Sequence, residues 1–141
     1  MASYIGLDLG TKTIGIATSQ GIIASAKDTI RFEEDNFEQG AQMILEYINK
    51  ENIDEIVIGY PINMDGTIGY RAQMVDYFVE LLLDLNSSLI IHKYDERMTS
   101  RMAGNIMLEN NTSRAKRKIN KDKLAAQIIL SDYLKYNKNS I

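Results

Sequence analysis

The hydrophobic period of this chain changes after Thr29, and that change limits the fold more than any other feature. Before it, apolar residues come in short strand-like runs. Tyr4-Ile5-Gly6-Leu7-Asp8-Leu9-Gly10 and Thr13-Ile14-Gly15-Ile16-Ala17-Thr18 are separated by a short Thr-Lys turn and read as a β-hairpin. Gln20-Gly21 is the next turn, and Ile22 to Thr29 reads as a third strand. After it, Phe37, Ala41, Ile44, Leu45 and Ile48 recur at three and four residues, which predicts a helix over about 36–51 with Asp35 or Asn36 as its cap. A buried strand over Ile53 to Gly59, a helix over about 70–86 and a fifth strand from Leu89 to Tyr94 follow. Met102, Ala103, Ile106 and Met107 mark a third helix with Thr99 as its cap, and a last helix is expected from about Asp122 to Tyr136. The order βββαβαβαα implies an α/β fold: a mixed five-stranded sheet, three antiparallel strands and then β-α-β, flanked by helices.

Composition removes several chemistries. The 141 residues fit one domain, so 1–141 is read as a single unit with room for a full core. There is no cysteine and one histidine, which excludes disulfide scaffolds, thiol catalysis, Cys-ligated zinc and a multi-His metal site within one chain. A bound metal must sit among oxygens, which points to Mg²⁺, Mn²⁺ or Ca²⁺. No apolar run approaches the length of a membrane span, and Met1-Ala2-Ser3-Tyr4 lacks the basic start of a signal peptide. A cytoplasmic protein is expected, with no membrane partner.

Five features need an explanation. Asp8 sits between Leu7 and Leu9 in an apolar strand, where an unpaired buried carboxylate would cost several kcal/mol. Either it reaches solvent or a lysine, or it holds a cation. Asp95-Glu96 follows the fifth strand at the edge where α/β sheets build sites. The other reading is a solvated loop with Glu96 paired to Arg97. Asp122 has Ala125, Ala126 and Ile129 at helical spacing, so it shares the face that meets the sheet. A helix N-terminal Asp that complements the dipole is the alternative. Three such carboxylates converging at one edge would repel one another unless cations held them. The segment Gly59-Tyr60-Pro61-Ile62-Asn63-Met64-Asp65-Gly66-Thr67 leaves strand four beside that edge and reads as a substrate-contacting loop. Between Asn110 and Lys123 stand Arg114, Lys116, Arg117, Lys118, Lys121 and Lys123 with Asp122 as the one acid, in a chain whose net charge is −3. That stretch is expected to be a mobile polar connection, either merely solvated or a phosphate-binding flap. His92, without a second His or Cys, reads as structural.

Four of these segments together carry a resemblance. Ile5-Gly6-Leu7-Asp8-Leu9-Gly10-Thr11-Lys12, Gly59 to Thr67, Asp95-Glu96-Arg97-Met98-Thr99-Ser100, and Asp122-Lys123-Leu124-Ala125-Ala126-Gln127-Ile128-Ile129-Leu130 closely resemble the bacterial YqgF/RuvX family over nearly the whole chain. Members are described as Holliday junction resolvases and as pre-16S ribosomal RNA nucleases. The resemblance implies a ribonuclease H-like fold and a metal-dependent nuclease. Asp8, Glu96 and Asp122 would be the catalytic, metal-binding acids, with Asp95 a further candidate ligand, around two Mg²⁺ or Mn²⁺ ions. Lys12, Asn63, Arg97, Arg114, Lys116, Arg117 and Lys118 are expected to contact nucleic acid. The chain departs from the family at Tyr60, where Leu is common, and at Lys121 and Lys123, which stand where Val and Ser are often found.

The expected substrate is pre-ribosomal RNA, free or within ribosomal particles, with branched DNA as the rival and a monomer or homodimer as the working form. Two other classes compete. Asp8-Leu9-Gly10-Thr11 also looks like the first phosphate loop of the actin, sugar-kinase and heat-shock ATPase superfamily, but no second Asp-x-Gly loop with a matching strand follows. A catalytically silent nucleic-acid-binding module would explain the basic run and leave the three acids unexplained.

Overall fold

A computed structural model describes residues 3–53, 55–95 and 114–136. Five strands, β1 (Tyr4–Leu9), β2 (Thr13–Gln20), β3 (Ile23–Arg31), β4 (Glu55–Tyr60) and β5 (Ile90–Asp95), form one sheet in the order β3-β2-β1-β4-β5. The pairs β1–β2 and β2–β3 are antiparallel, and β1–β4 and β4–β5 are parallel. This is the expected mixed sheet. The first turn closes with Gly10 N–H donating to the Thr13 carbonyl at 2.8 Å.

Helix α1 (Phe37–Glu51) starts where the sequence indicates, with the Asn36 side chain accepting from Gln39 N–H at 3.2 Å. It ends at Asn52, whose left-handed backbone (φ 55°) suits asparagine. Helix α2 (Tyr70–Leu85) lies within a residue of its expected span. Both helices cover one face of the sheet, burying Ile5, Leu7, Ile14, Ile16, Ile56 and Ile58 against Ile44, Phe78 and Leu82. The third expected helix, around Met102 to Met107 with its cap Thr99, lies outside the described residues.

Helix α3 (Arg114–Tyr136) covers the other face, where Tyr4, Ala17 and Val57 meet Ala126, Ile129, Leu130 and Leu134. It differs from expectation at its start. It begins eight residues before Asp122, so the basic stretch from Arg114 is helical and not an irregular connection. The physical reason is local: Ala, Lys and Arg are strong helix formers and no Gly or Pro interrupts them. The expected start followed the apolar pattern, which begins only at Leu124.

Two glycines let α3 approach the sheet. A Cβ on Gly6 would come within 2.8 Å of both the Ala126 carbonyl oxygen and the Leu130 Cβ. A Cβ on Gly15 would collide with the Asp122 carbonyl group. The helix backbone thus rests directly on β1 and β2, with Ala17, Ala125 and Ala126 buried along the same contact.

Candidate active site at the carboxyl edge of the sheet

Strand alternation sorts the candidate acids by face. In β1, Ile5, Leu7 and Leu9 point to α1 and α2, so Tyr4, Gly6 and Asp8 point to α3. Asp8 is half-buried and pairs across the sheet with Gly15. Residues directly opposite in an antiparallel pair lie about 4.5–5.5 Å apart between Cα atoms. Because the Asp122 backbone sits on Gly15, this register brings Asp8 and Asp122 to one spot from residues 114 apart in sequence. Thr13, two residues before Gly15 and on the same face, donates its hydroxyl to Asp122 Oδ2 at 3.2 Å.

Asp122 is the ninth residue of α3. A dipole interaction fades beyond the first turn, so that alternative reading of Asp122 falls away. Its depth in the helix also means that its position is set by the packing of Ala125, Ala126 and Ile129 on the sheet.

Asp95 is placed differently. In β5, Lys93 reaches α2, while His92 and Tyr94 contact Tyr133 of α3. Alternation therefore turns Asp95 toward the α1–α2 face, opposite to Asp8. It pairs with Tyr60 on β4, two strands or roughly 10 Å from β1. Glu96 and Arg97 lie outside the described residues. Among the described residues, no three His, Asp or Glu side chains group closely enough to hold a metal. Asp8, Asp122 and Thr13 offer oxygen donors there, the kind that suits a hard divalent ion. His92 is remote from them, its Nε2 3.0 Å from Glu55 Oε2 and its ring 5.0 Å from that of Tyr133, which bears out its structural reading.

Six of the seven residues expected to contact nucleic acid lie among the described residues. Lys12 is exposed in the β1–β2 turn beside Asp8. Arg114, Lys116, Arg117 and Lys118 stand four to eight residues before Asp122, or about 6–12 Å along the α3 axis. Asn63 fastens the loop after β4. Its amide donates to Thr67 Oγ1 at 3.0 Å, its backbone N–H donates to the Thr67 carbonyl at 3.0 Å, and its carbonyl accepts from Gly66 N–H at 2.8 Å. Asp65 closes the same turn by accepting from Thr67 N–H and Oγ1, at 3.0 and 2.6 Å. Those bonds hold the Asp65 carboxyl below its ordinary range. Gly66 supplies the left-handed φ of 89° that the turn requires.

Tyr60 has a use that its sequence position does not reveal. Its hydroxyl donates to Asp76 Oδ2 at 2.9 Å, and Lys93 donates to Asp76 Oδ1 at 2.5 Å. The Lys93 ammonium also lies 5.4 Å from the Tyr60 ring centroid. This clamp ties the ends of β4 and β5 to α2. The Lys93 bond lowers the Asp76 pKa, with the Tyr60 bond adding to it against partial burial. A carboxylate with a depressed folded pKa contributes stability above its unfolded value, about 3.9, and loses it as pH falls through the folded value. We therefore expect Asp76→Asn to lower the urea midpoint at pH 6 and to lower it much less at pH 3. An equal loss at both pH values would show that the charge does not matter.

Comparison with known proteins gives the chain its family. Residues 2–136 match the RuvX family, described as Holliday junction resolvase. A relative from Mycoplasma capricolum named "Putative pre-16S rRNA nuclease" is 52% identical, over 96% of this chain and 97% of its own. A relative from Staphylococcus saprophyticus with the same name is 42% identical, over 92% and 93%. The chain belongs to the RuvX family. Among solved structures it is similar to Thermus thermophilus RuvC in complex with a Holliday junction, with TM-score 0.60, 13% identity and 97% of each chain covered. It is also similar to the fowlpox virus resolvase bound to junction DNA, with TM-score 0.53, 12% identity and 99% of each chain covered. At those identities the likeness concerns the fold, which is the ribonuclease H-like one that the sequence motifs imply. Family membership makes this a nuclease chain of α/β class. No helix among the described residues is long and apolar enough to cross a membrane.

Sequence reasoning passed over two residues of this site. Gly15 is legible only once Asp8 is known to lie opposite it. Thr13 carried no signal beyond its place in the turn after Asp8.

Proposed function

We propose that this single-domain chain is a metal-dependent endonuclease that matures the 5′ end of pre-16S ribosomal RNA in the cytoplasm. The observation that carries the reading is the meeting of Asp8 and Asp122 across Gly15. Asp8, Asp122 and Glu96 would hold Mg²⁺ or Mn²⁺, with Asp95 as a further candidate. Two such ions, when bound, lower the pKa of a water and stabilise the leaving oxygen. The chain's own residues place the substrate. Thr13 orients the Asp122 carboxylate. Lys12 and Arg97 neutralise phosphates near the cut, and Asn63 keeps the loop after β4 in shape. Arg114, Lys116, Arg117 and Lys118 attract the strand along α3. Junction cleavage is the second reading, favoured by the family's description and requiring the same acids.

Depleting the protein from cells tests the substrate. Unprocessed 16S precursor should accumulate, and wild type but not Asp8→Asn should restore processing. Normal precursor levels after depletion would move the activity to another substrate.

The basic start of α3 gives a separate expectation. Each phosphate contact contributes about −0.7 to the slope of log K against log salt for a single strand. Replacing Arg114, Lys116, Arg117 and Lys118 with Gln should flatten the slope by up to ~3 units. Gln retains the helix propensity, so the fold should hold. An unchanged slope in a binding titration would send the phosphate contacts elsewhere, first to Arg71 and Arg97.

A further inference from the structure

The loop between β4 and α2, Pro61 to Gly69, contains no Lys or Arg, and the next cation along the chain is Arg71 in the first turn of α2. Its polar side chains Asn63, Asp65 and Thr67 bond to one another. The large side chains turned outward here are apolar: Met64 in the loop is 65% exposed, Ile68 48%, and Tyr70 at the start of α2 69%. Apolar side chains exposed singly are ordinary on a protein surface; these three stand within seven residues of one another, on and just after a segment fastened by its own hydrogen bonds. The loop leaves β4 at Tyr60, the residue beside Asp95, and so begins on the sheet edge that carries Asp8.

We infer that Met64, Ile68 and Tyr70 form an apolar lip that stacks the unpaired bases of single-stranded RNA next to the cleavage edge. This rests on the nuclease reading and adds a substrate class to it. An edge that cuts phosphodiesters must receive a strand whose phosphates meet cations and whose bases need apolar faces. The basic residues of α3 and Lys12 supply the first, and this loop supplies the second. Base stacking on an aromatic ring is tolerant of sequence, and the polarisable Met thioether adapts to any base. Bases in a duplex are already stacked on their neighbours, so the lip selects single-stranded or frayed segments.

The test is binding of the full chain to an unstructured RNA of about a dozen nucleotides, to the same strand with abasic sites, and to its duplex. Metal is chelated so that nothing is cut. Tyr70→Ala should weaken binding to the intact single strand by roughly 5- to 150-fold, the range for losing one stacked base. Tyr70→Phe should bind like wild type, and Met64→Ala with Ile68→Ala should weaken binding further. The salt slope should not change, because no phosphate contact is lost. Binding to the abasic strand should be weak in wild type and insensitive to these changes. A 2-aminopurine in the strand should be quenched by wild type and less so by Tyr70→Ala. If wild type binds the strand and all variants bind within twofold of it, the lip is not a base platform and its apolar surface belongs to a protein contact. If wild type binds no RNA, the pre-ribosomal RNA reading and the lip fall together, and junction cleavage is the reading that stands.

Discussion

Gly15→Ala should separate the two halves of the site. The new Cβ would overlap the Asp122 carbonyl, a backbone group that cannot rotate away as a side chain would. The only relief is for α3 to lift from β2, against the burial of Ala125, Ala126, Ile129 and Leu130. Overpacking of this kind costs about 1–3 kcal/mol. The loss of cleavage should be larger in proportion, because a misplacement near 1 Å can cost about 100-fold in rate. Gly6→Ala supplies the comparison. It strains the same helix one turn further along, at Ala126 and Leu130, and should destabilise similarly while reducing cleavage less. Urea titrations paired with rates measured where both variants are folded would show this. Wild-type stability and activity in Gly15→Ala would mean that α3 does not rest on β2 at Asp122.

Asp8→Asn and Asp122→Asn should each abolish metal-dependent cleavage and leave the fold intact. The carboxamide keeps the shape and removes the charge. Two carboxylates at one spot repel each other, so each variant should melt no lower than wild type in the absence of metal. With metal, wild type gains RT ln(1 + [L]/Kd), about 2.7 kcal/mol at a hundredfold excess over Kd. For a chain of this size that corresponds to roughly 10 °C in Tm. The variants should show little of this shift. Glu96→Gln should behave like them. Asp95→Asn should be milder, since β5 turns Asp95 to the other face of the sheet. A metal response that survives in Asp8→Asn would take Asp8 out of the site.

Physical reasons separate what the sequence made legible from what it did not. The strands and the first two helices follow apolar period and caps, as at Asn36, because those signals are local. The start of α3 is not marked by apolar period: the residues from Arg114 form helix through intrinsic propensity, which an amphipathic pattern does not register. Asp8 was conspicuous because a charge in an apolar strand needs a partner. Its proximity to Asp122 depends on register, and so on Gly15, whose lack of a side chain means something only against α3. Tyr60 shows the same limit, since its partners Asp76 and Lys93 come from two other elements. The orientation of Asp95 required knowing which of its strand neighbours face α3.

The most direct measurement is cleavage of a 5′-extended 16S precursor by the purified chain, with Mg²⁺ or Mn²⁺ added or chelated. Wild type should cut near the mature 5′ end only when metal is present, and Asp8→Asn should leave the precursor whole under the same conditions. A metal-loaded wild type that leaves the precursor intact, or an Asp8→Asn variant that cuts it at the wild-type rate, would contradict the account.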